Sequence, residues 1–231
     1  MRNPWLDLDL RPSDAPHFVL PGDAAVVDAY MAKQRGPDFE LATHLLPEPW
    51  VGRLDAPVVV LLANPGVAER EADPQWRPSV AEFHRAKTTL RAKKLAMPYY
   101  WLDEELAETD GYEWAEQLFK RLVADAGREA VGNNMLTLSS HPYHSSMFDD
   151  RLRALPSQRF TLAVLRRAIA NDALVVALRA RKYWFTVLPE LEAHEARGRV
   201  IRTAAVQNST LVPGNVERYD ELIAALRGTG R

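Results

Sequence analysis

Four short apolar runs along the chain have the length and the β-branched content of buried β-strands. The runs are APVVVLLA (56–63), NMLTLSS (134–140), ALVVALR (173–179) and RVIRTAAV (199–206). The first and the third are almost uninterrupted, which is typical of strands that are covered on both faces. The pattern therefore predicts four strands, in this order along the chain.

Segments with helical spacing of apolar residues lie before, between and after these runs. They span residues 22–36, 112–127, 157–172, 183–198 and 215–228. In the second segment Trp114 lies on the apolar stripe, and in the third Ser157 is expected to cap the helix. Strands that alternate with helices through short connections indicate a parallel sheet with helices on both faces. The predicted fold is therefore α/β, a three-layer α/β/α sandwich with a central four-stranded parallel sheet.

The chain is predicted to form a single α/β domain over residues 1–231. Residues 1–55 read as an N-terminal helical and irregular extension, rich in proline. Residues 67–111 form a long insertion, rich in Trp and Tyr, after the first predicted strand. Because long segments of this kind tend to be binding surfaces, we expect the insertion to line a crevice.

Composition excludes several classes of function. The chain has no cysteine, which excludes disulfides, iron–sulfur clusters, zinc ribbons and thiol nucleophiles. No apolar run approaches the roughly 18 to 20 residues of a membrane-spanning helix, and the acidic N-terminal segment does not resemble a secretory signal. We therefore expect a cytoplasmic protein that does not bind membranes, and we expect a monomer.

Nucleic-acid binding by this chain would depend on a local basic patch, because its formal net charge is −2. Two stretches are rich in Arg and Lys, residues 83–94 and residues 151–182. The candidate DNA-binding residues are Arg85, Lys87, Arg179, Arg181 and Lys182. The alternative is that both stretches are solvated helix faces, as most charged runs are.

Polar and ring-bearing side chains follow the predicted strands at the points where the strands end. The segments are ANPGV (63–67), SSHPYHSS (139–146), RARKYW (179–184) and VQNSTLVPGN (206–215). Because the carboxyl ends of parallel strands share one edge of a sheet, these groups should converge on one crevice. Taken singly, Asn64 and Asn208 each have a structural alternative as turn or cap residues, and the histidines could face water.

The order of these motifs resembles that of the uracil-DNA glycosylase superfamily, over roughly residues 56–226. Asn-Pro-Gly at 64–66 matches the first motif of the single-strand-selective and mismatch-specific branches, and Asn-Ser-Thr at 208–210 is similar to the second motif. The resemblance implies a uracil-DNA glycosylase-like fold that acts on single- or double-stranded DNA without a metal or an organic cofactor. It also implies the activity, which is hydrolysis of the N-glycosidic bond of uracil or another modified base.

The resemblance implies the catalytic roles as well. Cleavage of an N-glycosidic bond builds positive charge on the sugar and negative charge on the base, so a water must be aligned and the base oxyanion stabilised. Asn64 would position the water, and Asn208 or His141 would donate a hydrogen bond to the departing base. An amide is a weak base, so the expected rate is modest.

The base itself must leave the DNA stack before it can react. Tyr143 or Trp76 would stack on the extruded base, and Ser140 would read its edge. The other residues predicted to bind substrate are Pro65, Gly66, His144, Ser209 and Thr210.

Two other functions fit the same residues. The first is a catalytically idle protein of this fold that binds nucleic acid, a nucleotide or a protein partner in the crevice. The second is an unrelated hydrolase in which His141 or His144 activates a serine. The candidate serines are Ser139, Ser140, Ser145 and Ser146. The chain has no G-x-S-x-G motif, which disfavours the hydrolase.

Overall fold

A five-stranded mixed sheet is the central element of the structure, a computed structural model that describes residues 2–9, 17–67, 97–107, 109–152, 155–204 and 210–228. The strands are β1 (Trp50–Gly52), β2 (Val58–Leu62), β3 (Met135–Ser139), β4 (Leu174–Ala177) and β5 (Val200–Arg202). Their spatial order is β1-β3-β2-β4-β5. Strands β2 to β5 are the four predicted strands and are parallel to one another. The α/β class is confirmed, but the prediction of a sheet with four parallel strands is wrong, because β1 adds a fifth strand.

Strand β1 pairs with β3 in the antiparallel direction, with Trp50 opposite Leu138. It is only three residues long, which is too short for an apolar pattern to reveal. Gly52 ends it with a φ of 103°, and a Cβ at this position would lie 2.1 Å from the Met135 carbonyl oxygen. Only glycine therefore permits this close pairing. Because β1 is antiparallel, its beginning lies at the edge of the sheet where the parallel strands end.

Seven α-helices lie in the described part of the chain. They are α1 (Ala24–Met31), α2 (Asp110–Ala126), α3 (Arg128–Asn134), α4 (Gln158–Ala170), α5 (Arg181–Val187), α6 (Glu190–Ala196) and α7 (Tyr219–Leu226). The single helix predicted over residues 183–198 is two helices, which separate at Pro189 because proline cannot continue a helical hydrogen-bond ladder. Ser157 precedes α4, but its side chain makes no capping hydrogen bond. None of the described helices combines the length and the hydrophobicity needed to cross a bilayer.

Two hydrophobic clusters lie on opposite faces of the sheet. Along β2, Val58 and Val60 belong to one cluster, while Val59 and Leu61 belong to the other. Helices α2, α3 and α7 contribute to the first cluster, and α4, α5 and α6 to the second. All five residues of β2 are buried. The uninterrupted apolar run is thus explained by helices that cover both faces of the sheet.

Candidate functional site

A cavity of about 590 Å³ lies at the edge of the sheet where the parallel strands end. Its volume is within the range of about 300 to 1,000 Å³ that is typical of small-molecule sites. Its walls come from the segments after β2, β3 and β4, from the segment before β1 and from the first turns of α2. The lining includes Glu48, Asn64, Pro65, Gly66, Trp101, Gly111, Trp114, His144, Ser145 and Arg179. The crevice predicted from the strand ends therefore exists.

Asn64 follows β2 and is held by its side-chain amide. The Nδ2 group donates to the Ser145 carbonyl oxygen at 2.7 Å, to Ser145 Oγ at 3.0 Å and to the Pro65 carbonyl oxygen at 3.0 Å. Since carbonyl oxygens only accept hydrogen bonds, these contacts determine which end of the amide is the NH₂ group. The acceptor oxygen Oδ1 is thus the group that Asn64 can offer to a ligand.

His144 lines the cavity, but its side chain is hydrogen-bonded to the main chain. The ring is buried, with Nδ1 2.6 Å from the Gly66 carbonyl oxygen and Nε2 2.9 Å from the Leu46 carbonyl oxygen. His144 therefore joins the segment after β2 to the segment before β1, and both ring nitrogens are paired with main-chain oxygens rather than with a serine hydroxyl.

His141 lies outside the set of described residues that line the cavity. Gln158 Nε2 donates to its Nδ1 at 3.0 Å, so Nε2 carries the hydrogen and donates to the Asp149 carbonyl oxygen at 3.2 Å. The ring is 2% exposed and stacks on Phe148 at a centroid distance of 5.0 Å. Burial lowers the pKa of His141 to about 4. His141 is therefore a neutral imidazole whose two ring nitrogens are both hydrogen-bonded within the protein. It is not positioned for the predicted role of hydrogen-bond donor to the departing base.

Tyr143 and Ser140 also point into the protein rather than into the cavity. The Tyr143 hydroxyl donates to Asp23 Oδ2 at 2.8 Å and accepts from the Leu20 main-chain N–H at 3.2 Å. Its ring is 1% exposed, within a third hydrophobic cluster. Ser140 Oγ donates to the Ala63 carbonyl oxygen. Contrary to the prediction from the sequence, neither residue is placed where it could stack on a base or read its edge.

Five of the predicted site residues lie outside the described residues. They are Trp76, Arg85, Lys87, Asn208 and Ser209. Thr210 is described and exposed; its carbonyl oxygen accepts a hydrogen bond from Asn215. It is not among the described residues that line the cavity.

The three described basic candidates differ in their surroundings. Arg179 is exposed at the cavity and makes no ion pair within the part of the chain that the structure describes. Arg181 bonds Glu195 at 3.1 Å, and its guanidinium lies 4.6 Å from the centre of the Phe185 ring. Lys182 is exposed on α5 and does not contribute to the described lining. Of these three basic residues, Arg179 is therefore the one that a ligand in the cavity would meet.

Glu48 and Trp114 line the cavity, although neither was predicted from the sequence to be a site residue. The Glu48 carboxylate accepts a hydrogen bond from Trp101 Nε1 at 2.7 Å. Trp114, which we expected to be a core residue of α2, is 40% exposed and forms part of the cavity wall. Gly111 lets the start of α2 approach Trp101, because a Cβ at this position would lie 2.6 Å from the Trp101 indole. The available signal for Glu48 was its position between two prolines directly before β1.

Comparisons of the chain with protein-family models, with curated proteins and with solved structures find no match. In the described ranges no group of three or more His, Cys, Asp or Glu side chains is placed to hold a metal ion. The function must therefore be inferred from the geometry of the cavity.

Proposed function

We propose that this protein is a DNA glycosylase that hydrolyses the N-glycosidic bond of uracil or another modified base, on a three-layer α/β/α fold of the uracil-DNA glycosylase type. One observation carries the proposal: Asn64 lies at the cavity with its amide NH₂ bonded to protein and its acceptor oxygen left over. The Asn-Pro-Gly sequence at 64–66 supports the same assignment by resemblance.

The orientation of the Asn64 amide suits the positioning of water. A water that donates one hydrogen to Oδ1 turns an oxygen lone pair away from the amide, toward a substrate carbon in the cavity. Attack forms a bond from the water oxygen to the sugar C1′ and breaks the bond from C1′ to the base nitrogen. The water loses a proton, and the base leaves as an anion that takes one up. The amide orients the water without deprotonating it, so the reaction depends on a good leaving group.

The walls of the cavity suit an extruded base with its phosphate. Trp114 is exposed enough to offer an indole face to a planar ring, and stacking of a base on an aromatic side chain contributes about 1 to 3 kcal/mol. Arg179 supplies positive charge at the same cavity for a phosphate. In this proposal Trp114 takes the stacking role that the sequence suggested for Tyr143 or Trp76.

The donor to the departing base is Asn208 in this proposal. The sequence offered Asn208 and His141 as alternatives, and both ring nitrogens of His141 are already hydrogen-bonded within the protein. His141 is then a structural residue that supports the segment after β3.

The test is incubation with oligonucleotides that contain uracil, hypoxanthine or xanthine, followed by alkaline cleavage of abasic sites. Strand breaks are expected with the wild-type protein, and Asn64→Ala should lower the rate about 100-fold or more because the water is no longer aligned. Asn133→Ala is the matched control, since Asn133 lies in α3, at the opposite end of β3. Full activity in Asn64→Ala would contradict the proposal.

A second candidate function is a binding protein of the same fold that cleaves nothing. It is favoured by the burial of His141 away from the cavity, and by His144, the histidine among the described lining residues, whose two ring nitrogens are both paired with main-chain carbonyl oxygens. Under this alternative a nucleotide or single-stranded DNA binds in the cavity and is released unchanged. Tight binding of uracil-containing oligonucleotides without strand breaks at any of the three bases would support the binding protein over the glycosylase.

A further inference from the structure

Glu48 places a largely buried carboxylate in the wall of the cavity. The residue is 8% exposed, and it makes no ion pair within the part of the chain that the structure describes. Removing a carboxylate from water is costly unless hydrogen bonds or an opposite charge compensate it. A carboxylate in this position is therefore prepared to accept further hydrogen bonds from a ligand.

Two aromatic donors hold the carboxylate in one orientation. Trp101 Nε1 donates to Glu48 Oε2 at 2.7 Å, and the Tyr100 hydroxyl donates to the same oxygen at 3.3 Å. An indole N–H can only donate, and burial, reinforced by the Glu48 charge, raises the pKa of Tyr100 well above its usual value. Both groups consequently remain donors at neutral pH. Their use of Oε2 leaves Oε1 as the acceptor for a ligand.

The surroundings of Glu48 indicate the chemistry of that ligand. A carboxylate only accepts hydrogen bonds, so its partner must carry an N–H or O–H group. Trp101 and Trp114 line the same cavity and favour a planar ring. Arg179, also in the cavity, disfavours a cationic amine and suits a ligand that carries a phosphate.

The sheet places Glu48 opposite Asn64. Glu48 precedes β1 and Asn64 follows β2, with β3 between these two strands. Two strand spacings separate β1 from β2, which is about 10 Å. A ring bound between them can present one edge to Glu48 while its glycosidic bond lies on the side of Asn64.

We propose that Glu48 determines base specificity by accepting a hydrogen bond from a ring N–H group of the ligand. The site would select bases that carry an imide or lactam N–H, such as uracil, hypoxanthine or xanthine, over the same bases alkylated at that nitrogen. The choice of a nucleobase as the ligand rests on the proposed function, but the selection itself requires only binding.

The experiment measures binding by calorimetry with two matched ligand pairs. The pairs are uridine 5′-monophosphate with its 3-methyl analogue, and inosine 5′-monophosphate with its 1-methyl analogue. The wild-type protein should bind the N–H member of at least one pair about 10- to 100-fold more tightly, as expected for a hydrogen bond to a charged group. Glu48→Gln should abolish the difference, because an amide NH₂ replaces the free acceptor. Glu40→Gln, at an exposed position upstream, should retain it.

The controls separate this inference from the proposed function. Comparison of the two members of a pair in the wild-type protein needs no substitution. If Glu48→Gln does not fold, Glu48→Asp takes its place: it keeps the charge but shortens the side chain, so the difference in affinity within each pair should be reduced. Equal affinity for both members of both pairs, a difference that survives in Glu48→Gln, or binding of propylammonium in place of the nucleotides would overturn the proposal. Absence of strand breaks in the oligonucleotide assay would refute the glycosylase activity and leave the binding result intact.

Discussion

Two groups of polar residues at the same end of the sheet differ in how their hydrogen bonds are used. The cavity group comprises Glu48, Asn64, Trp114 and Arg179. The buried network comprises Asp23, His141, Tyr143 and Gln158. In the buried network each of these side chains bonds other parts of the protein, whereas Glu48 and Asn64 line the cavity and each has a side-chain oxygen that is not used in these hydrogen bonds.

The degree of burial does not separate the two groups. Glu48 is 8% exposed and His141 is 2% exposed, yet they have opposite roles in the proposal. The difference lies in whether the hydrogen-bonding capacity is consumed internally, because an unsatisfied buried group gains most from a ligand. Substitutions in each group test whether the two groups are functionally separate.

Substitution of Asp23 should affect the buried network most strongly. Asp23 is fully buried; its Oδ1 accepts from the Ser157 main-chain N–H at 2.9 Å and its Oδ2 from the Tyr143 hydroxyl at 2.8 Å. Asp23→Ala leaves two buried donors unsatisfied and should lower the free energy of unfolding by about 3 to 5 kcal/mol. Urea denaturation measures the change, with the exposed Asp28 of α1, the helix that Asp23 precedes, replaced by Ala as control. A loss below about 1 kcal/mol would contradict the role of the network.

The second prediction concerns the pH dependence contributed by His141. Its pKa in the folded protein is about 4, against about 6.5 in an unfolded chain, so the unfolded state binds more protons between these values. The stabilisation is therefore complete above pH 6.5 and is lost as the pH falls toward 4, by about 3 kcal/mol in total. Urea denaturation from pH 7 to 4.5 should show a steeper loss in the wild-type protein than in His141→Gln. Substitution of the exposed His17 is the control, and equal slopes in wild type and His141→Gln would refute the assignment.

The third prediction concerns the cavity group, through Trp114. Trp114→Ala should weaken binding of a uracil-containing single-stranded oligonucleotide about 10- to 100-fold, since it removes a stacking surface. Trp114→Phe should recover part of the affinity. Because Trp114 is 40% exposed, the stability of the fold should change much less than in Asp23→Ala. Fluorescence anisotropy measures the affinity, and an unchanged value in Trp114→Ala would separate the cavity from DNA binding.

The smallest expected effect separates two neighbouring arginines. Arg179→Gln should reduce the slope of the logarithm of the DNA-binding constant against the logarithm of salt concentration by about 1, because one phosphate contact is lost. Arg181→Gln should leave the slope almost unchanged, since Arg181 already bonds Glu195. Binding titrations from low to high salt provide both values. Equal effects of the two substitutions would indicate a diffuse basic surface rather than a contact at the cavity.

Much of the sheet could be predicted from local pattern. Residues 58–62 and 174–177 are short, almost wholly apolar and rich in β-branched residues, which is typical of strands covered on both faces. Strand β1 could not be predicted, because three residues carry no periodicity. The break between α5 and α6 was signalled by Pro189, which we placed inside one helix.

The site was predicted less completely than the fold. Asn64 lies at the cavity as expected because a parallel strand ends directly before it. In the loop after β3, His144 reaches the cavity but His141 and Tyr143 do not. All three residues lie in the same short loop. The partner of His141 is Gln158 of α4, and the partner of Tyr143 is Asp23 of the N-terminal region. No pattern within the loop could distinguish these partners.

The sequence by itself determined the α/β class, the four parallel strands and the position of Asn64 at the edge of the sheet, because these follow from apolar periodicity and from strand direction. Only the tertiary structure decided that Glu48 and Trp114 line the cavity and that the polar groups of His141 and Tyr143 are hydrogen-bonded inside the protein. The physical reason is that the use of a polar group depends on partners that the fold brings from distant parts of the chain, whereas a strand is specified by its own residues.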